Sequence, residues 1–90
     1  MIKKQSIFAW TSIRAGDFIV FVEETKDAYK FVYLPGPSYF YMTKEEFNFA
    51  INKGILEFVE QLPKEIYEDT LEQTEKTVAF EAKKAYGRTI

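Results

Sequence analysis

The chain contains no cysteine and no histidine. Without cysteine it forms neither disulfide bonds nor thiolate zinc sites, and without histidine it lacks the side chain most often used as a general base near neutral pH. The four glycines are too dispersed for a dinucleotide-binding fingerprint or a phosphate-binding loop. These absences exclude the commonest catalytic triads and cofactor sites, and we expect no enzymatic activity, no cofactor and no metal.

The sequence also lacks a long hydrophobic run. No stretch approaches the roughly twenty apolar residues of a membrane-spanning helix, and the N-terminal "MIKKQSIFAW" has neither the apolar run nor the cleavage site of a secretory signal. The formal net charge of −2 argues against a broad basic surface for nucleic acids or anionic membranes. We therefore expect a cytoplasmic protein whose partner is another protein.

What the sequence does contain is typical of a folded domain. Hydrophobic residues make up 47% and charged residues 29% of 90 residues, which predicts one small domain over residues 1–90. The aromatic content of 18% is high, and most of it lies between Phe8 and Phe58. The last third of the chain is charged and poor in aromatic residues.

The first half of the chain has the pattern of an antiparallel sheet. Apolar segments of strand length are separated by short polar loops, which predicts hairpins. The segments are "SIFAWT" at 6–11, a candidate edge strand, "DFIVFV" at 17–22, "YKFVYL" at 29–34 and "YFYM" at 39–42. The prolines and glycine of "LPGPS" predict the turn before the last of these.

The second half has the pattern of two helices. Thr43 and Glu46 form a capping box that starts a helix at residue 44, and Gly54 either ends that helix or kinks it. Residues 55–62 are then a further strand or a continuation of the helix, and a long C-terminal helix follows at about 64–86. The sequence thus predicts an α+β fold, an antiparallel three- to four-stranded β-meander packed with two α-helices.

The segment "DFIVFV" does not alternate between apolar and polar residues, which predicts a central strand covered on both faces. Alternation puts Ile19 and Phe21 on one face and Phe18, Val20 and Val22 on the other. The first helix has a full apolar stripe and covers one face. Because the second helix has only a thin stripe, we expect Ile19 and Phe21 to be covered either by the N-terminal segment or, as we prefer, by another molecule.

The segment "YLPGPSYFYM" contains three tyrosines, which are common at protein interfaces. Alternation predicts that Tyr39 and Tyr41 face away from the core, with Tyr33 as their neighbour on the next strand. The candidate protein-binding residues are therefore Tyr33, Tyr39, Tyr41, Trp10, Ile19 and Phe21. We interpret the chain as a small protein-binding regulator, such as a bacteriophage or mobile-element inhibitor of a host protein, that acts through this surface or as a homodimer.

Two alternatives remain open. An acidic face on the C-terminal helix can imitate the phosphates of a nucleic acid and block a protein that binds one, and it consists of Glu65, Glu68, Glu72 and Glu75. The aromatic residues of the sheet can also stack on single-stranded nucleic acid, although the scattered lysines do not form the basic groove that such binding normally uses.

Overall fold

A computed structural model describes residues 2–11 and 15–87. The described residues form an α+β fold of five strands and two helices, which confirms the predicted fold class and adds a strand. The elements in chain order are β1 (Ser6–Trp10), β2 (Phe18–Glu24), β3 (Ala28–Leu34), β4 (Ser38–Thr43), α1 (Lys44–Asn52), β5 (Leu56–Gln61) and α2 (Lys64–Gly87).

All five strands form one antiparallel sheet in the order β4-β3-β2-β1-β5. β2, β3 and β4 make the predicted meander, with β2 near the centre of the sheet. The prediction of an edge strand at residues 6–11 is wrong, because β1 lies between β2 and β5. The two edge strands are β4 and β5.

Gly54 explains why the chain continues from α1 into a strand. Its φ of 71° lies in the left-handed region that glycine adopts readily. The Gly54 amide donates to the Ile51 carbonyl at 3.1 Å and the Ile55 amide to the Ala50 carbonyl at 2.9 Å, so the last carbonyls of α1 are satisfied. The helix therefore ends here, and the choice left open for residues 55–62 is resolved as strand β5.

The start of α1 has the predicted capping box. The Glu46 amide donates to Thr43 Oγ1 at 3.0 Å, and the Thr43 amide donates to Glu46 Oε1 at 2.8 Å. These two bonds satisfy backbone donors that have no partner within the helix. The Thr43 amide, and to a smaller extent the Thr43 side chain, also stabilises the charged form of the Glu46 carboxylate, so the pKa of Glu46 is lowered.

One face of the sheet, which we call the aromatic face, carries Phe8, Ile19, Phe21, Tyr29 and Phe31. Because β4 and β5 are at opposite edges, α1 crosses this face between them, and Phe47 packs into its centre. Ile19 is 0% and Phe21 is 5% exposed. The expectation that another molecule covers these two side chains is therefore wrong, because both are buried within this chain on the face that α1 crosses.

The opposite face, which we call the valine face, carries Val20 and Val32, both fully buried. α2 crosses this face from the β5 edge towards β4, and Thr74 on its inner side is also fully buried. Valine and threonine are short side chains, so α2 can approach such a face closely at Thr74. The thin stripe of α2 is therefore sufficient cover.

The last turns of α2 extend past the sheet. Residues 78–84 are exposed, and the molecule measures 48 Å along its longest axis against 29 and 27 Å along the others. This agrees with the thin apolar stripe predicted for this helix. Within residues 2–11 and 15–87, no helix is both long enough and apolar enough to cross a bilayer.

Candidate functional site

The residues predicted to form one protein-binding surface lie on both faces of the sheet. Trp10, Tyr33, Ile19 and Phe21 belong to the aromatic face, whereas Tyr39 and Tyr41 belong to the valine face. Ile19 and Phe21 are buried and therefore offer no surface to a partner in this structure. The predicted set is not a single patch.

Tyr33 is not the neighbour of Tyr39 and Tyr41, and that prediction is wrong. In the register of β3 and β4, Tyr33 pairs with Ser38, so its side chain points to the face opposite Tyr39. Its ring lies 5.8 Å from that of Phe40, and its hydroxyl donates to the Asp17 carboxylate. The Phe40 ring in turn lies 6.2 Å from that of Trp10. These half-buried rings form a flank of the core.

Tyr39 and Tyr41 do lie on one face at the β4 edge, as alternation predicts. The ammonium group of Lys30 sits 4.1 Å from the centre of the Tyr39 ring and 6.0 Å from that of Tyr41, distances typical of cation–π contacts. The Tyr39 hydroxyl donates to the Glu75 carboxylate on α2. Tyr41 is 58% exposed and Tyr39 is half-buried.

The acidic face of α2 is partly neutralised by its own lysines. Glu68 pairs with Lys64 at 3.8 Å and Glu72 pairs with Lys76 at 3.1 Å, both one helical turn apart. Glu75 is turned towards Tyr39. Glu65, the remaining one of the four predicted acidic residues, is exposed. Such alternating charges are typical of a solvated helix face.

The described residues line a groove of about 390 Å³ at the β5 edge of the aromatic face. The N-terminal segment, α1 and the sheet each supply one wall. Its lining includes Ile2, Lys3, Phe8, Phe47, Asn48 and Phe58. We call it the β5 groove.

Local hydrogen bonds fix the walls of the β5 groove. Ser6 Oγ donates to the Lys3 carbonyl at 2.7 Å, which folds the N-terminal segment against the start of β1. On the other side, the Leu62 amide donates to the Gln5 carbonyl at 2.8 Å and joins the end of β5 to the same segment. The groove is therefore bounded by hydrogen-bonded backbone.

Phe58 is the exposed apolar residue of the β5 groove. It pairs with Phe8 across β1 and β5, and the two rings lie 5.8 Å apart. Phe58 nevertheless remains 57% exposed, because β5 is an edge strand. An apolar side chain brought by another molecule can pack on the exposed part of this ring.

The chemistry of the β5 groove is that of a binding surface with few polar groups. Lys3 supplies a cation and Asn48 supplies an amide beside an apolar floor. Within the described part of the chain, no three acidic side chains come together as metal ligands. The sequence alone does not predict this groove, although the alternation of Leu56, Glu57 and Phe58 after Gly54 is a strand signal.

The valine face has one tyrosine with a perturbed pKa. Tyr67 belongs to α2, and its burial between this helix and the sheet raises the pKa of its hydroxyl, which the nearby Glu23 carboxylate raises further. The Tyr67 hydroxyl lies 3.5 Å from the Val22 carbonyl, so it joins α2 to the end of β2. This contact holds α2 against the sheet and lies on the face opposite the groove.

Comparison of the chain with protein families, with curated proteins and with solved structures gives no match.

Proposed function

We propose that this protein is a small non-enzymatic binding module that holds an extended segment of a partner protein along β5. The observation that carries the proposal is the exposed Phe58 ring at the edge strand, beside the open β5 groove. Concave apolar surfaces with a few polar groups are the usual sites of ligand binding. The proposal places the module in the cytoplasm, with regulation of its partner as its effect.

The edge position of β5 supplies the backbone half of the interaction. An edge strand presents amide and carbonyl groups that an added strand can pair with, at a spacing of about 4.8 Å. Phe58 faces the groove on this strand. Alternate residues of an added strand would then point towards the β5 groove, where a bulky apolar side chain packs against Phe58.

The charges around β5 indicate what kind of segment fits. Glu57 pairs with Ala9 and Glu60 pairs with Ile7, which puts both carboxylates on the valine face of the edge. Opposite charges on facing strands are favourable, whereas like charges are unfavourable. The matching segment therefore alternates bulky apolar residues on the groove side with lysine or arginine on the other side.

The same carboxylates disfavour pairing between two copies of β5. Glu57 and Glu60 are both exposed, and a second β5 would bring four carboxylates together. Charged residues of this kind protect edge strands from self-pairing. A basic partner segment is thus favoured over a second copy at this edge.

Selection from a library of random peptides tests the proposal without knowledge of the natural partner. The immobilised protein should enrich peptides that alternate bulky apolar and basic residues. An enriched peptide should shift the NMR signals of the β5 amides from Leu56 to Gln61 more than those of β4. No enriched sequence, or shifts concentrated at β4, would contradict the proposal.

Two variants then distinguish binding in the β5 groove from non-specific hydrophobic binding. Phe58→Ala should weaken the enriched peptide by roughly 10- to 100-fold, since burying a large apolar side chain contributes about 1.5–3 kcal/mol. Phe49→Ala is the matched control, because Phe49 is 58% exposed but lies on α1 away from the groove lining. Thermal melting of both variants checks that each remains folded. Equal affinities for Phe58→Ala and the unmodified protein would refute the role of the groove.

A further inference from the structure

One flank of α2 carries two exposed apolar residues with no cover in this subunit. Ile66 is 54% and Phe80 is 63% exposed. Gln73 lies midway between them, seven residues from each, and the ends are about 21 Å apart along the helix. At 100° per residue, these three residues point about 100° away from the buried Thr74. They therefore form a lateral stripe that the sheet does not cover.

Two threonines complete this stripe. Thr70 and Thr77 fall between the other three residues, so the positions 66, 70, 73, 77 and 80 repeat with alternate steps of four and three. The Thr70 hydroxyl donates to the Ile66 carbonyl and the Thr77 hydroxyl to the Gln73 carbonyl, each at 2.8 Å. With the hydroxyls bonded inside the helix, the threonine methyl groups are left for packing. This is the spacing at which two helices pack side by side.

We propose that α2 is a self-association surface, on which a second copy of this chain packs its own α2 in the antiparallel direction. With Gln73 at the two-fold axis, Ile66 of one copy lies opposite Phe80 of the other. The contact is made twice, once at each end, as two-fold symmetry requires. Gln73 meets its own copy at the centre, where the two amide groups can exchange hydrogen bonds.

Charge complementarity favours the antiparallel direction. Asp69 and Lys76 lie beside the stripe on its outer side, four residues before and three residues after Gln73. In an antiparallel pair, Asp69 of one copy comes beside Lys76 of the other, whereas a parallel pair puts the equivalent residues of the two copies on opposite sides of the contact and loses this charge pair. Lys76 also pairs with Glu72 in its own helix, but both side chains are more than 60% exposed and reach an additional partner. The interaction between the two helix dipoles also favours the antiparallel arrangement, because each positive end then lies near a negative end.

The proposed dimer is weak and uses none of the residues of the β5 groove. Its core has only two large apolar side chains from each copy, which is small compared with stable dimer interfaces. We expect a dissociation constant on the order of 100 µM, because association entropy offsets most of the gain from such a contact. A failure of this inference therefore leaves the peptide-binding proposal untouched.

Sedimentation equilibrium between about 10 µM and 1 mM tests the association. The unmodified protein should fit a monomer–dimer equilibrium, and Phe80→Asp should weaken it by at least tenfold. Phe49→Asp is the control, since it adds the same charge at a residue that is similarly exposed but lies on α1. A monomer at all concentrations would overturn the inference. Equal weakening by both variants would also overturn it, because the effect would then be general repulsion.

Cysteine cross-linking tests the direction and the axis, because the chain has no native cysteine. Gln73→Cys alone should oxidise to a covalent dimer, since the axis puts this residue opposite itself. Ile66→Cys and Phe80→Cys should cross-link when mixed and react little when oxidised separately. Efficient cross-linking of Phe80→Cys with itself indicates a parallel pair and overturns the proposal.

A charge exchange tests the register independently. Asp69→Lys should weaken the dimer, and adding Lys76→Asp in the same chain should restore it, because the exchanged charges meet again across the axis. Circular dichroism of each variant checks that α2 remains helical. A double variant that associates no better than Asp69→Lys alone would show that these residues do not face each other.

Discussion

Replacing Phe47 with alanine tests how α1 closes the aromatic face. The Phe47 ring is 7% exposed and lies 5.2 Å from the ring of Phe8, 5.3 Å from that of Tyr29 and 5.9 Å from that of Phe31. These are edge contacts with Phe8 and Tyr29 and a stacked contact with Phe31. Removal of the ring leaves a cavity between the helix and the sheet.

The expected loss is large for a domain of this size. Replacing a buried phenylalanine with alanine costs about 3–5 kcal/mol, through lost burial and the cavity that remains. A chain of 90 residues has a total stability of about 5–13 kcal/mol. We therefore expect Phe47→Ala to lose between about a quarter and nearly all of the free energy of unfolding.

Urea unfolding followed by circular dichroism and by Trp10 fluorescence measures this loss. With a urea dependence of about 1.5 kcal/mol/M, a loss of about 4 kcal/mol lowers the midpoint by about 2.7 M. Phe49→Ala, two residues along the same helix, is the control. Phe49 is 58% exposed, and its contact with Lys53 spans 5.9 Å. Its loss is offset by the better helix propensity of alanine, so the change stays within about 0.5 kcal/mol.

Two results would refute the reasoning. A loss below about 1 kcal/mol for Phe47→Ala would mean that α1 does not close the aromatic face through this ring. A similar large loss for Phe49→Ala would mean that the outer side of α1 is covered. An unchanged urea dependence in both variants is needed for either conclusion, because a changed slope reports a different unfolded or folded state.

Three further predictions concern pH and backbone conformation. The lowered pKa of Glu46 stabilises the fold above pH 4.5, and this contribution is lost as the pH falls further. In Glu46→Gln, the free energy of unfolding should therefore fall less steeply as the pH drops below 4.5. The raised pKa of Tyr67 has the opposite sign: its contribution is complete below pH 10.0 and is lost at higher pH, so Tyr67→Phe should resist alkaline unfolding followed by circular dichroism. Gly54→Ala should lower the free energy of unfolding in urea by about 1 kcal/mol, because φ there is 71°, whereas Gly36→Ala should change it by less than about 0.5 kcal/mol.

Local patterns in the sequence predicted local structure correctly. Alternation in "DFIVFV" assigned Ile19 and Val20 to opposite faces, and the register of β1, β2 and β3 confirms it. Thr43 and Glu46 predicted the start of α1, where both bonds of the capping box are present. Each of these signals depends on residues within one turn or one strand, so one sequence is enough to read it.

The errors concern contacts between distant parts of the chain. Nothing within residues 6–11 shows that this segment pairs with residues beyond position 55, so β1 was placed at an edge. The prediction about the cover of the sheet is wrong because it assumes that the thin apolar stripe of α2 has to cover large aromatic side chains. Those residues lie under α1, whereas α2 faces Val20 and Val32, where Thr74 fits.

The candidate site depends on the same distant contacts. Phe58 is exposed at a groove only because β5 pairs with β1 at one edge and α1 crosses to that edge. The sequence predicts a binding surface around Tyr39 and Tyr41 instead, because tyrosines near a turn are a local signal. A single phenylalanine in a short strand carries no comparable signal.

The pairing of β1 with β5 has a consequence for the order of folding during synthesis. Ser6 pairs with Gln61, whereas β2, β3 and β4 pair with their neighbours in the chain. The nascent chain can therefore assemble these three strands while β1 still has one open side. The β5 groove needs both β1 and β5, so it is completed only after residue 61 has left the ribosome.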